Sequence, residues 1–393
     1  MKVPFFKPSI GEEEKKAVLD VMNSGWLTTG KVTADFEKEF ASYIGTKHAL
    51  AVNSNTSGMI LAMEACGVKK GKAVITTPYT FVSTAASALH LGADVLFADI
   101  EKDSYSISCD CIEKILKEDV NHKVAAIVPV HIAGNLCDMK RIRQLARDYS
   151  TEENKIYVIE DCAHSFPSKT KDGFAGALGD AGVFSFYATK TITTGEGGMV
   201  TVNDDNLERR MNIMRLHGMN RSAWDRYTSD KASWEYDIVA PGYKCNLPDI
   251  LSAIGREQLK KAEDFRRSRT EAAGKYNEEF SKLDFIKLPP DSEGNAWHLY
   301  LMRLNLDKLD CDRNTFAREM QERGIGISMH FIPLFNFTYW KSLYPDFTPE
   351  QCPHAWQNYI ETITIPLYPY MTEEEIHSVI ECVKELGNKH HVR

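Results

Sequence analysis

Between residues 47 and 203 the chain repeatedly places a short apolar run beside a helix-length amphipathic segment. This alternation constrains the fold more than any other feature. Ala49–Val52, Ala73–Thr76, Val95–Phe97, Ala125–Val128, Ile156–Ile159 and Val183–Phe186 read as strands. Ser57–Cys66 and Phe81–Leu91 read as helices, ended by Gly67 and Gly92. Strands with no polar alternate position must be buried on both faces, which predicts an α/β fold with a mostly parallel sheet flanked by helices. Ligands of such sheets bind beyond the carboxyl ends of the strands.

The pattern changes after residue 205. Leu207–Leu216 is helical, and 218–240 is polar and aromatic (Trp224, Tyr227, Trp234, Tyr236) without clear periodicity. One long helical pattern then covers Pro248–Phe280. Residues 285–393 read as a smaller α/β unit, with strands at Trp297–Leu304 and Ile363–Ile365 and helices at Arg313–Arg323 and Thr372–Leu386. A chain of 393 residues suits one large domain and one smaller one. We expect them at 14–250 and 251–393, with 1–13 packed near the second. The tail Lys389–Arg393 reads as a frayed terminus.

Charge narrows the function. With 47 basic and 55 acidic side chains the net charge is −8, which argues against a nucleic-acid partner. No apolar run approaches the roughly 18 residues of a membrane span. The start, Met1-Lys2-Val3-Pro4-Phe5-Phe6, lacks the pattern of a secretory signal. The nine cysteines are scattered and only Cys109 and Cys111 lie close together, so they read as buried thiols in a reducing compartment rather than metal ligands. The expectation is a cytoplasmic protein with no metal.

Nucleotide signatures fail. Gly67–Lys72 is one residue short of a P-loop and is followed by Ala73 where Ser or Thr is needed. Gly195-Glu196-Gly197-Gly198 lacks the dinucleotide spacing, and no GxSxG elbow exists. Three constellations at strand ends remain. Asn53–Gly58 opens a helix with small polar residues, either a phosphate cup or ordinary capping. Ile159–His164 delivers two acids and a histidine to a strand exit, either to hold a cation or to form a surface turn. Phe184–Lys190 ends in a lysine beside Thr193–Gly198, either a desolvated nucleophile or a solvated cation. Together they supply a phosphate cup, an acid for a ring nitrogen and an amine for a Schiff base, which is what pyridoxal phosphate requires.

The sequence resembles the sugar aminotransferases of the DegT/DnrJ/EryC1/StrS family over nearly its whole length. The matching segments are Ser24–Gly30, Asn53–Gly58, Pro78–Thr84, Glu160–His164, Phe184–Lys190 with Gly195–Gly198, and Pro241–Leu247. The resemblance implies the fold-type I aminotransferase architecture and a pyridoxal 5'-phosphate cofactor. It implies that Lys190 is the Schiff-base lysine and that Asp161 pairs with the pyridinium nitrogen. Phe81 corresponds to the aromatic ring stacked on the cofactor, and Thr56, Ser57 and Ser185 to the phosphate ligands. His164 corresponds to a position beside the cofactor ring, and His330 to a histidine near the substrate pocket. Asn246 corresponds to the residue that reaches the phosphate from the neighbouring subunit, which implies a homodimer with composite active sites.

Some members replace the lysine by histidine and become dehydratases; Lys190 keeps this chain with the transaminases. The segments 223–227 and 242–247 look most like the aminoarabinose-type branch that aminates C4 of nucleotide-linked sugars. The expected reaction transfers an amino group from L-glutamate to a nucleotide-linked keto-sugar, a 4-keto-6-deoxy-hexose. Its rivals are amination at C3, a non-sugar transaminase, a silent cofactor- or sugar-binding regulator, and a nicotinamide-dependent sugar oxidoreductase. The missing glycine fingerprint disfavours the last.

Overall fold

The computed structural model describes residues 2–220, 235–292 and 294–392. Trp224, Tyr227 and Trp234, and with them the segment 223–227, lie outside the described residues.

The first unit is built on a seven-stranded sheet. Its strands are β1 (His48–Val52), β2 (Ala73–Thr76), β3 (Asp94–Phe97), β4 (Val124–Ile127), β5 (Tyr157–Asp161), β8 (Ala181–Ser185) and β9 (Gly198–Val202), in the order β1-β9-β8-β5-β4-β2-β3. A two-residue hairpin, β6 (Lys169–Thr170) with β7 (Gly173–Phe174), stands apart. Strands β8, β5, β4, β2 and β3 run parallel, as the apolar runs predict. β9 is antiparallel to both β8 and β1. The sequence reading does not anticipate β9. It follows β8 through a loop with no helix, and a connection without a crossover returns the chain antiparallel.

Alternate residues of each strand point to opposite faces of the sheet. Val74, Ala126 and Val183 pack under α3 (Asn55–Ala65), α4 (Val82–His90) and α7 (Asp205–Met214). Ile75, Ile127 and Val158 pack against α5 (Cys109–Glu118) and α6 (Met139–Tyr149), while Ala51, Phe184 and Met199 meet α2 (Lys31–Ile44). Helix α3 lies very close to the sheet because of Gly58. A Cβ there would stand 2.6 Å from Val183 Cγ1 and 3.0 Å from Val200 Cγ2. Helices α1 (Glu12–Ser24) and α2 are further elements without an apolar run to announce them.

The expected long helix from Pro248 is two helices, α8 (Asp249–Lys260) and α9 (Ala262–Phe280), which meet at Lys261. α8 packs on α1 and α2, whereas the later turns of α9 send Ala272, Tyr276 and Phe280 into a second core. That core lies on a three-stranded antiparallel sheet of β10 (Ile286–Lys287), β11 (Tyr300–Leu304) and β12 (Thr362–Ile365). Helices α10 (Arg313–Glu322) and α13 (Glu373–His390) cover it, and two shorter helices, α11 (Thr338–Leu343) and α12 (Pro353–Glu361), lie between them in sequence. Val3 pairs with Ile325, so the N-terminal segment lies along this unit.

Two expectations need correction. β11 begins at Tyr300, not Trp297, because the preceding backbone is bonded elsewhere. Ala296 N donates to Ser168 Oγ at 3.0 Å, and His298 N to Ala133 O at 3.0 Å. The tail does not fray at Lys389: α13 runs to His390, whose ring nitrogens meet Asp310 at 2.7 Å and Glu319 at 3.1 Å. The nine cysteines are free thiols, and all but Cys111 and Cys311 are buried. Among the described residues no helix is long and apolar enough to cross a membrane.

Candidate active site

A cavity of about 350 Å³ opens where β5 and β8 end and where α3 and α4 begin. Thr56, Phe81, Asp161, His164, Ser185, Lys190 and His330 all line it. Seven of the nine residues singled out in the sequence therefore share one cavity, although they span more than 270 positions of chain.

β5 ends in two consecutive acids, and the pleat sends them apart. Glu160 turns away from the cavity. It accepts hydrogen bonds from His131 Nε2 at 2.9 Å and from the backbone N–H groups of Gly176, Leu178 and Gly179 at 3.0, 2.8 and 2.6 Å. His131 Nδ1 accepts from Cys137 N at 3.2 Å, so Nε2 carries the proton that is donated to Glu160. Glu160 is thus a brace for the 176–179 turn. Asp161 turns into the cavity and is buried. It accepts from Thr84 Oγ1 at 2.7 Å, from Ala163 N at 3.1 Å and from Asn55 Nδ2 at 3.3 Å. Burial pushes its carboxyl above the usual range, while these donors and the charge of Lys190 act against that rise.

Lys190 stands on the loop from Phe186 to Gly197, which is closed on itself. Phe186 N donates to Gly197 O at 2.8 Å, and Thr194 N to Phe186 O at 3.0 Å. The side chain is half-buried. Desolvation brings its amine down to about 8, against the opposing pull of Asp161. Phe81 stands at the N-cap of α4 with much of its ring exposed, presenting a flat apolar face to the cavity mouth.

Two imidazoles, those of His164 and His330, line the cavity, and that of His298 packs against His164. His164 lies 4.5 Å from His298 and 6.1 Å from His330, centroid to centroid, and stacks on Phe331 at 5.4 Å. Burial, reinforced by the charge of Lys190, holds His164 and His298 well below the ordinary histidine range and brings His330 down to about 3. All three are neutral at physiological pH. His330 Nδ1 lies 3.0 Å from Thr364 Oγ1, which ties the cavity wall to β12.

Ser57 and Asn246 do not line this cavity. Ser57 Oγ donates to Asn53 Oδ1 at 2.7 Å, and its N–H is capped by Ser54 Oγ at 3.1 Å. Because Ser54 caps α3, the hydroxyl of Thr56 is left for the cavity. Asn246 donates to Thr29 Oγ1 at 2.6 Å and accepts from Lys244. It lies beside the end of β1, paired with Val52.

The sequence pattern of the DegT/DnrJ/EryC1/StrS aminotransferase family matches residues 8–384. The chain belongs to that family. This aminotransferase is 39% identical over 387 residues to the spore coat polysaccharide biosynthesis protein SpsC of Bacillus subtilis, covering 98% of this chain and 97% of SpsC. Its fold superimposes with a TM-score of 0.90 on the PMP form of Spr1654 from Streptococcus pneumoniae, at 30% identity, over 99% of this chain and 98% of that one. Spr1654 also has a PLP form. PseC of Helicobacter pylori, an aminotransferase involved in the biosynthesis of pseudoaminic acid, superimposes at 0.89 with 29% identity, over 99% of this chain and 100% of its own. The protein is a sugar aminotransferase that depends on pyridoxal phosphate.

The cavity of the aminotransferase fits that cofactor. A buried acid at its floor suits a ring nitrogen, a desolvated amine suits an aldehyde, and the N-terminus of α3 with Thr56 suits a phosphate. Three residues of the site escape the sequence reading: Asn55, Thr84 and His298. The first two fall inside segments quoted for the family, and Thr84 meets Thr80, which precedes α4, at 2.9 Å. No sequence signal marked His298, which reaches His164 only because the 295–298 segment is bonded back to residues 133 and 168.

Proposed function

We propose that this aminotransferase moves an amino group from L-glutamate to a nucleotide-linked keto-sugar, at C4 of a 4-keto-6-deoxy-hexose. The observation that carries the reading is one cavity containing both the lysine amine near 8 and the buried Asp161. An apolar groove of about 520 Å³ adjoins this cavity and shares Thr80, Phe81, His330 and Phe331 with it, which leaves room for a substrate larger than an amino acid. Kinship with SpsC and PseC supports the sugar, and the likeness of segments 223–227 and 242–247 to the aminoarabinose-type branch supports C4.

Pyridoxal phosphate, when bound, supplies an aldehyde carbon that exchanges amines and a conjugated ring that takes up the electrons of a broken C–H bond. Lys190 Nζ holds that aldehyde at rest. Once freed from the aldehyde, this amine would take the proton from the donor's α-carbon, and in the second half-reaction it would give a proton to the sugar carbon. Asp161 holds a proton on the ring nitrogen. Phe81 and His164 line the cavity, where Phe81 would cover one face of the ring and His164 would lie beside it. Thr56 and Ser185, which line the cavity, would bind the phosphate together with the N-terminus of α3, and Ser57 would join them once its hydroxyl turns from Asn53. His330 contacts substrate at the mouth of the groove. Two copies form a homodimer in which Asn246 completes the phosphate site of the neighbouring subunit.

The test is a panel of nucleotide-linked 4-keto and 3-keto sugars and free keto acids, with glutamate as donor and product structure read by NMR. Amination of a nucleotide-linked sugar at C4 is the expected result. Turnover confined to 3-keto sugars or free keto acids would refute the assignment.

A further inference from the structure

We infer that Thr84 and Asn55 are positioning residues, which keep the buried Asp161 carboxylate ionised and aimed into the cavity. The inference deepens the reading above, because it rests on Asp161 serving the ring nitrogen of the cofactor.

A carboxylate taken out of water becomes harder to ionise, and donors that bond its charged form offset that penalty. Both Asp161 oxygens have such donors. Oδ2 accepts from Thr84 Oγ1 at 2.7 Å, and Oδ1 from Asn55 Nδ2 at 3.3 Å and from Ala163 N at 3.1 Å. Thr84 and Asn55 reach the acid from different helices, α4 and α3, so it is gripped from two sides. Each donor is oriented by a further contact. Asn55 Nδ2 also donates to Val183 O at 2.9 Å, so both acceptors face the amide nitrogen and a flipped amide would oppose oxygen to oxygen. The cost of this orientation is visible: Asn55 Oδ1 is buried without a partner. Thr84 Oγ1 has a single proton. Thr80 Oγ1, 2.9 Å away, can donate to it and leave that proton for Asp161.

The charged and titratable groups that line the cavity with Asp161 lie on three segments: the loop between β8 and β9, which also carries Tyr187, the turn after β5, and the segment before α11. Lys190 follows β8 and His164 follows β5; His330 precedes α11, and Glu196 precedes β9. Burial keeps both histidines neutral. Lys190 is therefore the only cation of this set, and once its amine is engaged by an aldehyde that support weakens. The uncharged donors Thr84 and Asn55 remain in place throughout turnover.

The experiment titrates the visible absorption of the holoenzyme against pH in Thr84→Val, Thr84→Ser, Asn55→Ala and Asp161→Asn. A ring nitrogen that has lost its proton draws fewer electrons from the lysine-linked nitrogen, so that nitrogen becomes more basic. One hydrogen bond to a charged group is worth on the order of 1 pKa unit, so Thr84→Val should move the titration upward by about 1 pH unit. Its turnover should fall roughly tenfold in parallel. Thr84→Ser, which keeps the hydroxyl, should restore both. Asn55→Ala should shift the titration in the same direction by less, because its bond is longer. If Thr84→Val does not accumulate, Thr84→Ala and Asn55→Ala carry the same comparison. Native titration in the Thr84 and Asn55 variants, with only thermal stability lowered, would reduce both residues to structural parts. If Asp161→Asn shifts the titration and they do not, the clamp alone fails. If Asp161→Asn also titrates like the native enzyme, the assignment of Asp161 to the ring nitrogen fails.

Discussion

Raising the pH of the cofactor-free protein through 8 should switch on capture of pyridoxal phosphate by Lys190. Only a neutral amine attacks an aldehyde, and burial brings this amine down to about 8. At pH 7.5 about a quarter of the molecules then carry a neutral Lys190, against about one in a thousand for an ordinary lysine, an advantage of roughly 200-fold. The capture rate should climb about tenfold per pH unit below 8 and level off above it. Asp161 favours the ammonium form, so Asp161→Asn should move the midpoint to lower pH. Stopped-flow absorbance after mixing the protein with a fixed excess of pyridoxal phosphate, from pH 6 to 10.5, measures both. A capture rate still rising as steeply at pH 10 would show that Lys190 titrates like a solvated lysine. The account of a desolvated nucleophile would then be wrong.

Three further outcomes are expected. Asp161→Ala should lower kcat by about 10² or more while leaving the unfolding transition intact, because the lost group acts on the reacting ring; native turnover would make the acid merely structural. Mixed and refolded subunits of Lys190→Ala and Asn246→Ala, each inactive alone, should recover about a quarter of native activity, since half the dimers are mixed and each has one intact site. No recovery, with mixed dimers present by native mass spectrometry, would remove Asn246 from the neighbouring site. Gly182→Ala should destabilise the fold by about 2 kcal/mol or more in a denaturant titration, since the added methyl would collide with the backbone of Gly176 beside β8. Native stability would show that the 173–180 turn yields freely.

Much of the first unit was legible because doubly buried strands have no polar alternation to blur them. Val74, Ile127 and Val183 lie where their apolar runs place strands. β9 was missed for a physical reason: Gly198–Val202 follows a glycine-rich loop that reads as a ligand contact, and nothing local says that the chain doubles back against β8. The break at Lys261 was equally hidden, since both flanking helices continue a helical pattern.

For the site, sequence alone supplied the chemistry and its order along the chain: a cup at Asn53–Gly58, acids at 160–161 and an amine at 190. Tertiary structure decided which groups meet. The pleat of β5 sends Glu160 to His131 and Asp161 into the cavity, a choice of face that two adjacent acids cannot declare. The meeting of α3, α4 and β5 sets Asn55 and Thr84 on either side of Asp161, and the return of residues 295–298 sets His298 against His164. Local pattern determines what a residue can do, because propensity and periodicity act over a few positions. Desolvation and partners act through space, between residues far apart in the chain, so only the packed fold could bring the Lys190 amine down to about 8 and make Asp161 a buried acid.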